Sequence, residues 1–491
     1  ERQTMAAAEE TSNATQGGLA QKPEAPRMMK AIALTRFVSD PSELPAALEV
    51  VERPVPVPGD NEMLVKMDAS VCNPSDLEQL RGGEFYAGGK TLPFVPGLEG
   101  TGRVVGAGSG VLPSFFMGKR VAVALNDFSR DGTWAEYCVV SASAAAPLEA
   151  HMPIDQSACL IVNPLTAVGL VDLCAARGVT AILQTAALSQ VGRMVSSYAR
   201  SKGMTTVNIV RRQEQADELQ ELGEKHVIVA GGESFGEDLK QICAAVGVGA
   251  CIDPVGGVGS RELIAALPLK GSYIVYGSLS GNEPLQVDHG QLVNLGVTLE
   301  GFHLKRYLQD TYNTISSLRL LNRVQDLFKR GVLKVKVAQC CTLEDFAPGI
   351  PAYTKAMSAG KVVLCISQWA ITELITPAPP VPTTVVPVKV TEWQPDNATP
   401  VCVRCTAPFS ITLRRHHCRV CGKVFCDDCT SGRSYIAEFD QIVRVCVGCK
   451  PTLPAAAAAG GASSSSAPAP VGPQDPTAAP TPGEPTVGVH C

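Results

Sequence analysis

Along most of the chain, short apolar runs alternate with amphipathic stretches, most regularly between residues 181 and 299. Ala181-Ile182-Leu183-Gln184 reads as a short buried strand, and the mixed segment after it reads as a helix through Tyr198 to Lys202. Thr206-Val207-Asn208-Ile209-Val210 is the next strand, followed by a helix rich in Glu, Gln and Leu. His226–Val229, a helix near Leu239–Ala245, Ala250–Asp253, Tyr273–Tyr276 and Val297–Leu299 continue the series. Strands alternating with helices in this order predict a doubly wound α/β fold around a parallel sheet.

Composition sets the boundaries. Dense strand and helix signals fill residues 29–368, while residues 1–28 are polar and poor in aromatics, which predicts disorder. Ile375-Thr376-Pro377-Ala378-Pro379-Pro380-Val381-Pro382 marks a Pro-rich linker over 369–390, expected in extended polyproline II form. Residues 452–491 are mostly Ala, Gly, Ser and Pro and read as a disordered tail. A length of 491 residues is that of about two to four domains. A net charge of −5 and a pI near 5.9 argue against a general nucleic-acid binder. No apolar run reaches the roughly 18 residues a transmembrane helix needs, so membrane contact would come from a surface module.

The C-terminal region adds a chemistry of its own. Four Cys-x-x-Cys pairs occur: Cys402/Cys405, Cys418/Cys421, Cys426/Cys429 and Cys446/Cys449. Each pair puts two sulfurs on one tight knuckle, so eight thiolates make two tetrahedral sulfur sites suited to two Zn²⁺ ions. Disulfides are the competing use of eight cysteines, but the start of the chain lacks a basic-then-apolar signal pattern and the other ten cysteines are scattered. Arg414-Arg415-His416-His417 runs directly into Cys418-Arg419, a cationic patch fit for an anionic ligand.

Pair spacing alone would allow a RING, LIM or PHD module. The flanking residues decide. Trp393-Gln394-Pro395-Asp396 precedes the first pair, Arg414-Arg415-His416-His417-Cys418-Arg419 enters the second, and Arg444-Val445-Cys446 enters the fourth. Residues 391–451 therefore resemble a FYVE domain, a family that binds phosphatidylinositol 3-phosphate on early endosomal membranes. The resemblance implies a cross-brace, with Cys402, Cys405, Cys426 and Cys429 on one ion and Cys418, Cys421, Cys446 and Cys449 on the other. A lipid phosphomonoester is a doubly charged anion that Arg forks recognise bidentately, so Arg414, Arg415, Arg419 and Arg444 fit that role, with His416 and His417 donating when protonated. The histidines could instead be zinc ligands, but eight cysteines already fill two sites. Asp396 would accept from inositol hydroxyls, and Ile411 and Thr412 stand at the tip of a short apolar segment resembling the family's membrane-insertion loop. Such a protein is expected in the cytoplasm, peripheral on endosomal membranes.

In the larger segment the first strand–turn–helix carries Ala187, Ser189 and Gly192 where a dinucleotide fold has G-x-G-x-x-G, small residues that let a pyrophosphate approach the helix N-terminus. After the second strand an NAD binder offers an acid to the ribose; here stand Arg211 and Arg212, which fit the extra phosphate of NADPH. Asn73-Pro74-Ser75-Asp76, Pro96-Gly97-Leu98-Glu99-Gly100, Asn163-Pro164-Leu165-Thr166-Ala167 and Gly360-Lys361-Val362-Val363-Leu364 follow in order. With the middle segment they resemble the medium-chain dehydrogenase/reductase superfamily, nearest to its zinc-free quinone oxidoreductase and enoyl thioester reductase branch. That resemblance implies a GroES-like β-barrel over 29–166, a Rossmann domain over 167–328, a return to the barrel over 329–368 and an active-site cleft between them. It also implies a homodimer and a small conjugated carbonyl substrate. Asn73 stands where the zinc-dependent branch has its ligand Cys and Leu98 where it has its His, so no catalytic zinc is expected. By position Asn73 and Thr166 would face the nicotinamide, Ser189 and Gly192 the phosphates, and Lys361 would add a further cofactor contact. The family's catalytic tyrosine follows the Asn-Pro motif, and Tyr86, two residues later than that pattern, is the candidate. A reductase fold that has lost catalysis and serves as a membrane-recruited scaffold is the competing reading, favoured by the missing glycines at Ala187 and Ser189.

Overall fold

The structure is a computed structural model. It describes residues 28–149, 152–281, 283–375, 394–395, 397–410, 414–418, 421–426, 428–430, 432–436, 441–446 and 449. The disorder expected before Met28 and over 452–491, and the extended prolines expected over 376–390, lie outside the described residues.

Among the described residues, two large sheets and one separate two-stranded pair build the large segment. In the barrel part, β1 (Met28–Leu34) pairs antiparallel with β2 (Leu48–Pro54), and β3 (Glu62–Val71) is the central strand of a seven-stranded sheet. That sheet continues through β4 (Glu99–Ala107), β5 (Arg120–Ala124) and β7 (Ala145–Pro147), with β6 (Tyr137–Ser141) also on β3. The second sheet runs from β8 (Ala181–Gln184) through β9 (Thr205–Val210), β10 (His226–Val229), β11 (Ala250–Asp253) and β12 (Ser272–Val275) to β13 (Thr298–Gly301). Its spatial order is β10-β9-β8-β11-β12-β13, and every pairing is parallel. β8 and β11 are buried along their whole length, which is why they read as continuous apolar runs. Strand order reverses between β8 and β11, so the crevice for a ligand opens beyond their carboxyl ends.

The chain then returns to the barrel. β14 (Val337–Cys341) lies parallel to β15 (Lys361–Cys365), and β15 pairs antiparallel with β3, Val363 opposite Val71. The linker does not begin at residue 369. Gln368–Leu374 is a helix, capped by the Ser367 hydroxyl on the Ala370 N–H and packed on β3 and β15. Its apolar residues Trp369, Ala370, Ile371 and Leu374 join the core that β15 completes. Beyond it, β16 (His416–His417) pairs with β17 (Val424–Phe425) and β18 (Gly432–Ile436) with β19 (Gln441–Val445), around a core of cysteines, Phe409 and Phe425.

Candidate active site and cysteine clusters

The barrel strands converge on one buried polar hub. Gly97 adopts a left-handed φ of +99°, and a Cβ there would lie 2.3 Å from the Trp134 ring, so only glycine turns the chain here and sends Glu99 inward. Glu99 is fully buried. Its Oε1 accepts from the backbone N–H groups of Ile161 (2.8 Å) and Val162 (2.7 Å), and its Oε2 from Asn73 Nδ2 (2.9 Å). Asn73 Oδ1 accepts from Lys361 Nζ at 2.5 Å and from Asn163 Nδ2 at 3.0 Å. Lys361 also reaches the Cys72 carbonyl (3.3 Å) and the Tyr353 hydroxyl (3.4 Å), which accounts for all three ammonium donors. A flipped Asn73 amide would face two donors with a third, so this network fixes its orientation.

Charge follows the same logic. Burial pushes the Lys361 ammonium down, but Tyr353, Cys159, Glu99 and Cys72 outweigh it and the net shift is upward. Burial raises Glu99. Burial also lifts Asp76, helped by Glu99, to about 7, although its carboxylate accepts from the Asn73 N–H at 2.6 Å. Lys361, expected to touch a cofactor, is 3% exposed and Asn73 1% exposed. Both are occupied inside the hub.

β8 runs through a tight turn into a helix. Ser189 caps the helix Gln190–Ser201, its hydroxyl accepting from the Gly192 N–H at 3.1 Å. A Cβ on Gly192 would fall 2.4 Å from the Ala187 carbonyl oxygen, so this close approach requires the glycine. Ala187 is fully buried beneath the turn. Across the crevice, buried Asp253 accepts from the backbone N–H groups of Val255 (2.8 Å) and Gly256 (3.0 Å), and from the hydroxyls of Thr185 and Tyr273. Arg211 and Arg212 are exposed just past β9, with Arg212 3.9 Å from Glu214.

In the C-terminal module the eight cysteines form two groups, Cys402, Cys405, Cys426, Cys429 and Cys418, Cys421, Cys446, Cys449, with the sulfurs of each within 4.8 Å of one another. Four tetrahedral Zn–S bonds of about 2.3 Å put sulfurs about 3.8 Å apart. Cys405 and Cys426 are 3.7 Å apart, and Cys421 and Cys446 4.0 Å, so the donor set fits zinc. The Cys446 N–H donates to Cys418 Sγ at 3.1 Å. Arg414 and Arg415 are exposed, the Arg415 guanidinium 4.8 Å above the Phe409 ring. His417 Nε2 lies 2.6 Å from the Gln394 carbonyl and is held in the module's own frame.

Comparison with known proteins agrees with this architecture. Residues 59–150 match the alcohol dehydrogenase GroES-like domain, 191–321 the zinc-binding dehydrogenase domain and 392–454 the FYVE zinc finger. The mitochondrial enoyl-[acyl-carrier-protein] reductase of Bos taurus is 31% identical over 317 residues, covering 62% of this chain and 81% of that protein. This chain belongs to the medium-chain dehydrogenase/reductase superfamily. It carries a C-terminal FYVE zinc finger, and that finger binds zinc. The human enoyl-[acyl-carrier-protein] reductase is 30% identical over 315 residues, covering 62% of this chain and 81% of its own. A putative NADPH:quinone reductase from Mesorhizobium loti superposes with a TM-score of 0.65 at 28% identity, covering 70% of this chain and 99% of that one. A mycobacterial relative complexed with NADPH has a TM-score of 0.58 at 25% identity, over 69% and 99% of the two chains.

In this dehydrogenase/reductase frame, Thr166 lies on the helix Val162–Ala176, one turn beyond Asn163, and is 9% exposed. Tyr86 belongs to the short helix Glu84–Ala87 in an aromatic group at the cleft. Its ring stands 4.9 Å from Phe85 and 5.2 Å from Phe128, and Phe85 meets His303 of the Rossmann side edge-on at 5.0 Å. Burial first, then Asp76 and Glu78, raise the Tyr86 phenol, keeping it protonated at neutral pH. In the FYVE finger, Asp396, Ile411, Thr412 and Arg419 lie outside the described residues. Arg444 is on β19, opposite Arg433 of β18. Arg433 escaped sequence reasoning because it lies in no signature; only strand pairing reveals it. Asp76 and Tyr353 were missed as hub members too, although Asp76 three residues after Asn73 is the spacing at which a carboxylate reaches back to a helix N-terminus.

Proposed function

We propose that the protein is an NADPH-dependent reductase of a small conjugated carbonyl compound, placed on membranes by a FYVE finger that binds phosphatidylinositol 3-phosphate. The observation that carries the cofactor reading is the exposed Arg211–Arg212 pair just past β9. NADPH, when bound, supplies a hydride for the β-carbon of the substrate. The chain's own residues do the rest. Arg211 and Arg212 bind the 2′-phosphate, and the helix starting at Gln190 turns its N-terminal N–H groups to the pyrophosphate. Asn73 and Lys361 act as positioning residues, locking the β3 end against the helix that bears Thr166. Tyr86 donates a hydrogen bond to the substrate carbonyl oxygen as negative charge gathers there, and then its proton.

Losing a charge-assisted pair to phosphate costs about 1.5–3 kcal/mol. Arg211→Ala/Arg212→Ala should therefore weaken NADPH at least about tenfold while sparing NADH, read by titrating nucleotide fluorescence. Equal weakening of both nucleotides removes the 2′-phosphate assignment, and absence of NADPH binding in the parent chain favours the scaffold reading. With an enoyl thioester, Tyr86→Phe should lower kcat more than KM; an unchanged kcat excludes the tyrosine. Sedimentation with phosphatidylinositol 3-phosphate liposomes tests the lipid half, and equal binding to liposomes lacking that lipid refutes it.

A further inference from the structure

The first cysteine cluster does not stand clear of the reductase. Arg103, on β4 and 7% exposed, donates from Nη1 to the Gly118 carbonyl at 2.6 Å and points Nη2 at Cys426 Sγ, 4.0 Å away. Beside it in the β4–β5 register is Arg120, 4% exposed, with its guanidinium 4.6 Å from the centre of the Trp369 ring. Arg404, inside the first knuckle between Cys402 and Cys405, lies over the same ring at 5.6 Å. Trp369 Nε1 and Arg404 Nη1 are shut away from solvent. The helix bearing Trp369 is the one that replaces the first turn of the expected linker.

A Zn²⁺ held by four thiolates leaves a net charge of about −2, which attracts hydrogen-bond donors and cations most strongly where water is excluded. Arg103 brings such a cation from the reductase, and its guanidinium is already anchored by Gly118. Trp369 brings a large, flat surface that two guanidinium groups share, the stacking partner arginine prefers.

We propose that the reductase barrel is the docking partner of its own zinc finger: Arg103 caps the thiolates of the first zinc site, and Trp369 is shared between Arg120 of the barrel and Arg404 of the finger. The finger is then seated on the barrel, and the first site keeps its metal better than the second because its charge is met from both modules. This rests on zinc occupying the first cluster.

The test uses the full-length zinc-loaded chain with Arg103→Met, which keeps the aliphatic stem, and Trp369→Ala. Zinc transfer to a chromogenic chelator should show a slow and a fast phase. Either substitution should accelerate the slow phase about tenfold, leave the fast phase unchanged and preserve the far-ultraviolet dichroism of the reductase. Small-angle scattering should give one compact distance distribution for the parent chain and a broader one for each variant. If Arg103→Met does not fold, Arg404→Gln on the finger side reads the same interface. A parent chain whose finger samples many positions overturns the proposal, as does a slow phase that no substitution accelerates. A chain purified under zinc without bound metal would refute the zinc reading instead, and scattering would then decide docking alone.

Discussion

Replacing Lys361 by Met separates two roles for this residue. A lysine that only touches cofactor from an open groove contributes little to folding, and its loss should stay within about 0.5 kcal/mol. The hub predicts otherwise. Lys361 is the cation among buried Glu99, Asp76 and Asn73, and its Nζ meets three oxygens at 2.5, 3.3 and 3.4 Å. Met fills nearly the same volume but removes the cation near Glu99 and leaves Asn73 Oδ1, the Cys72 carbonyl and the Tyr353 hydroxyl short of a donor. Three buried oxygens that lose a charged donor cost about 1–2 kcal/mol each, about 3–5 kcal/mol together, out of a total stability typically about 5–15 kcal/mol. With a urea slope of about 3 kcal/mol/M, the unfolding midpoint should fall by about 1–2 M. Glu99→Gln should then cost less in the Lys361→Met background than in the parent chain, because the amide of Asn73 becomes free to turn. A midpoint within about 0.3 M of the parent, or strictly additive losses in the double variant, would refute the hub as an electrostatic unit.

Two further outcomes follow from the sites. Plasma emission spectrometry of the purified chain should give two zinc ions, both lost on deleting residues 391–451; a third ion, bound upstream of Pro377, would contradict the assignment of both to the finger. Asp76 titrates at about 7 in the folded chain against an ordinary 3.8, so the folded state holds its proton more tightly than the unfolded one. Its contribution is full below about pH 4 and is lost as pH rises through about 7, at most ~4 kcal/mol. Thermal melts should therefore show the parent weakening between about pH 4 and 7 and Asp76→Asn weakening less over that range; identical slopes would remove Asp76 as the source.

The Rossmann strands were legible because a parallel strand buried on both faces must be apolar throughout, as Ala181–Gln184 and Ala250–Asp253 are. The cysteine pairs were legible because ligand spacing is local. The hub was not: Lys361 and Asn73 are 288 residues apart, and no local pattern reports that β15 will lie against β3. Their motifs suggested cofactor contacts, whereas the side chains face each other inside the barrel. The helix Gln368–Leu374 was hidden by the prolines that start at Pro377, since composition was averaged over both. Arg103 carried no signal at all, because its relation to Cys426 exists only once the modules are folded.

The late return of β15 has a consequence during synthesis. Residues 62–124 leave the ribosome early, yet the cation that neutralises their buried acid is made 288 residues after Asn73, roughly 15–60 s later at about 5–20 residues per second. Until then a closed barrel would enclose Glu99 without its counter-charge, whereas the second sheet is contiguous from Ala181 to Gly301 and the helix residues that cover it, from Val162 to Lys329, are all made before Lys361. The nascent chain should therefore complete its middle before its beginning, with the opening strands waiting, exposed to proteases and chaperones, for a segment made just ahead of the zinc finger.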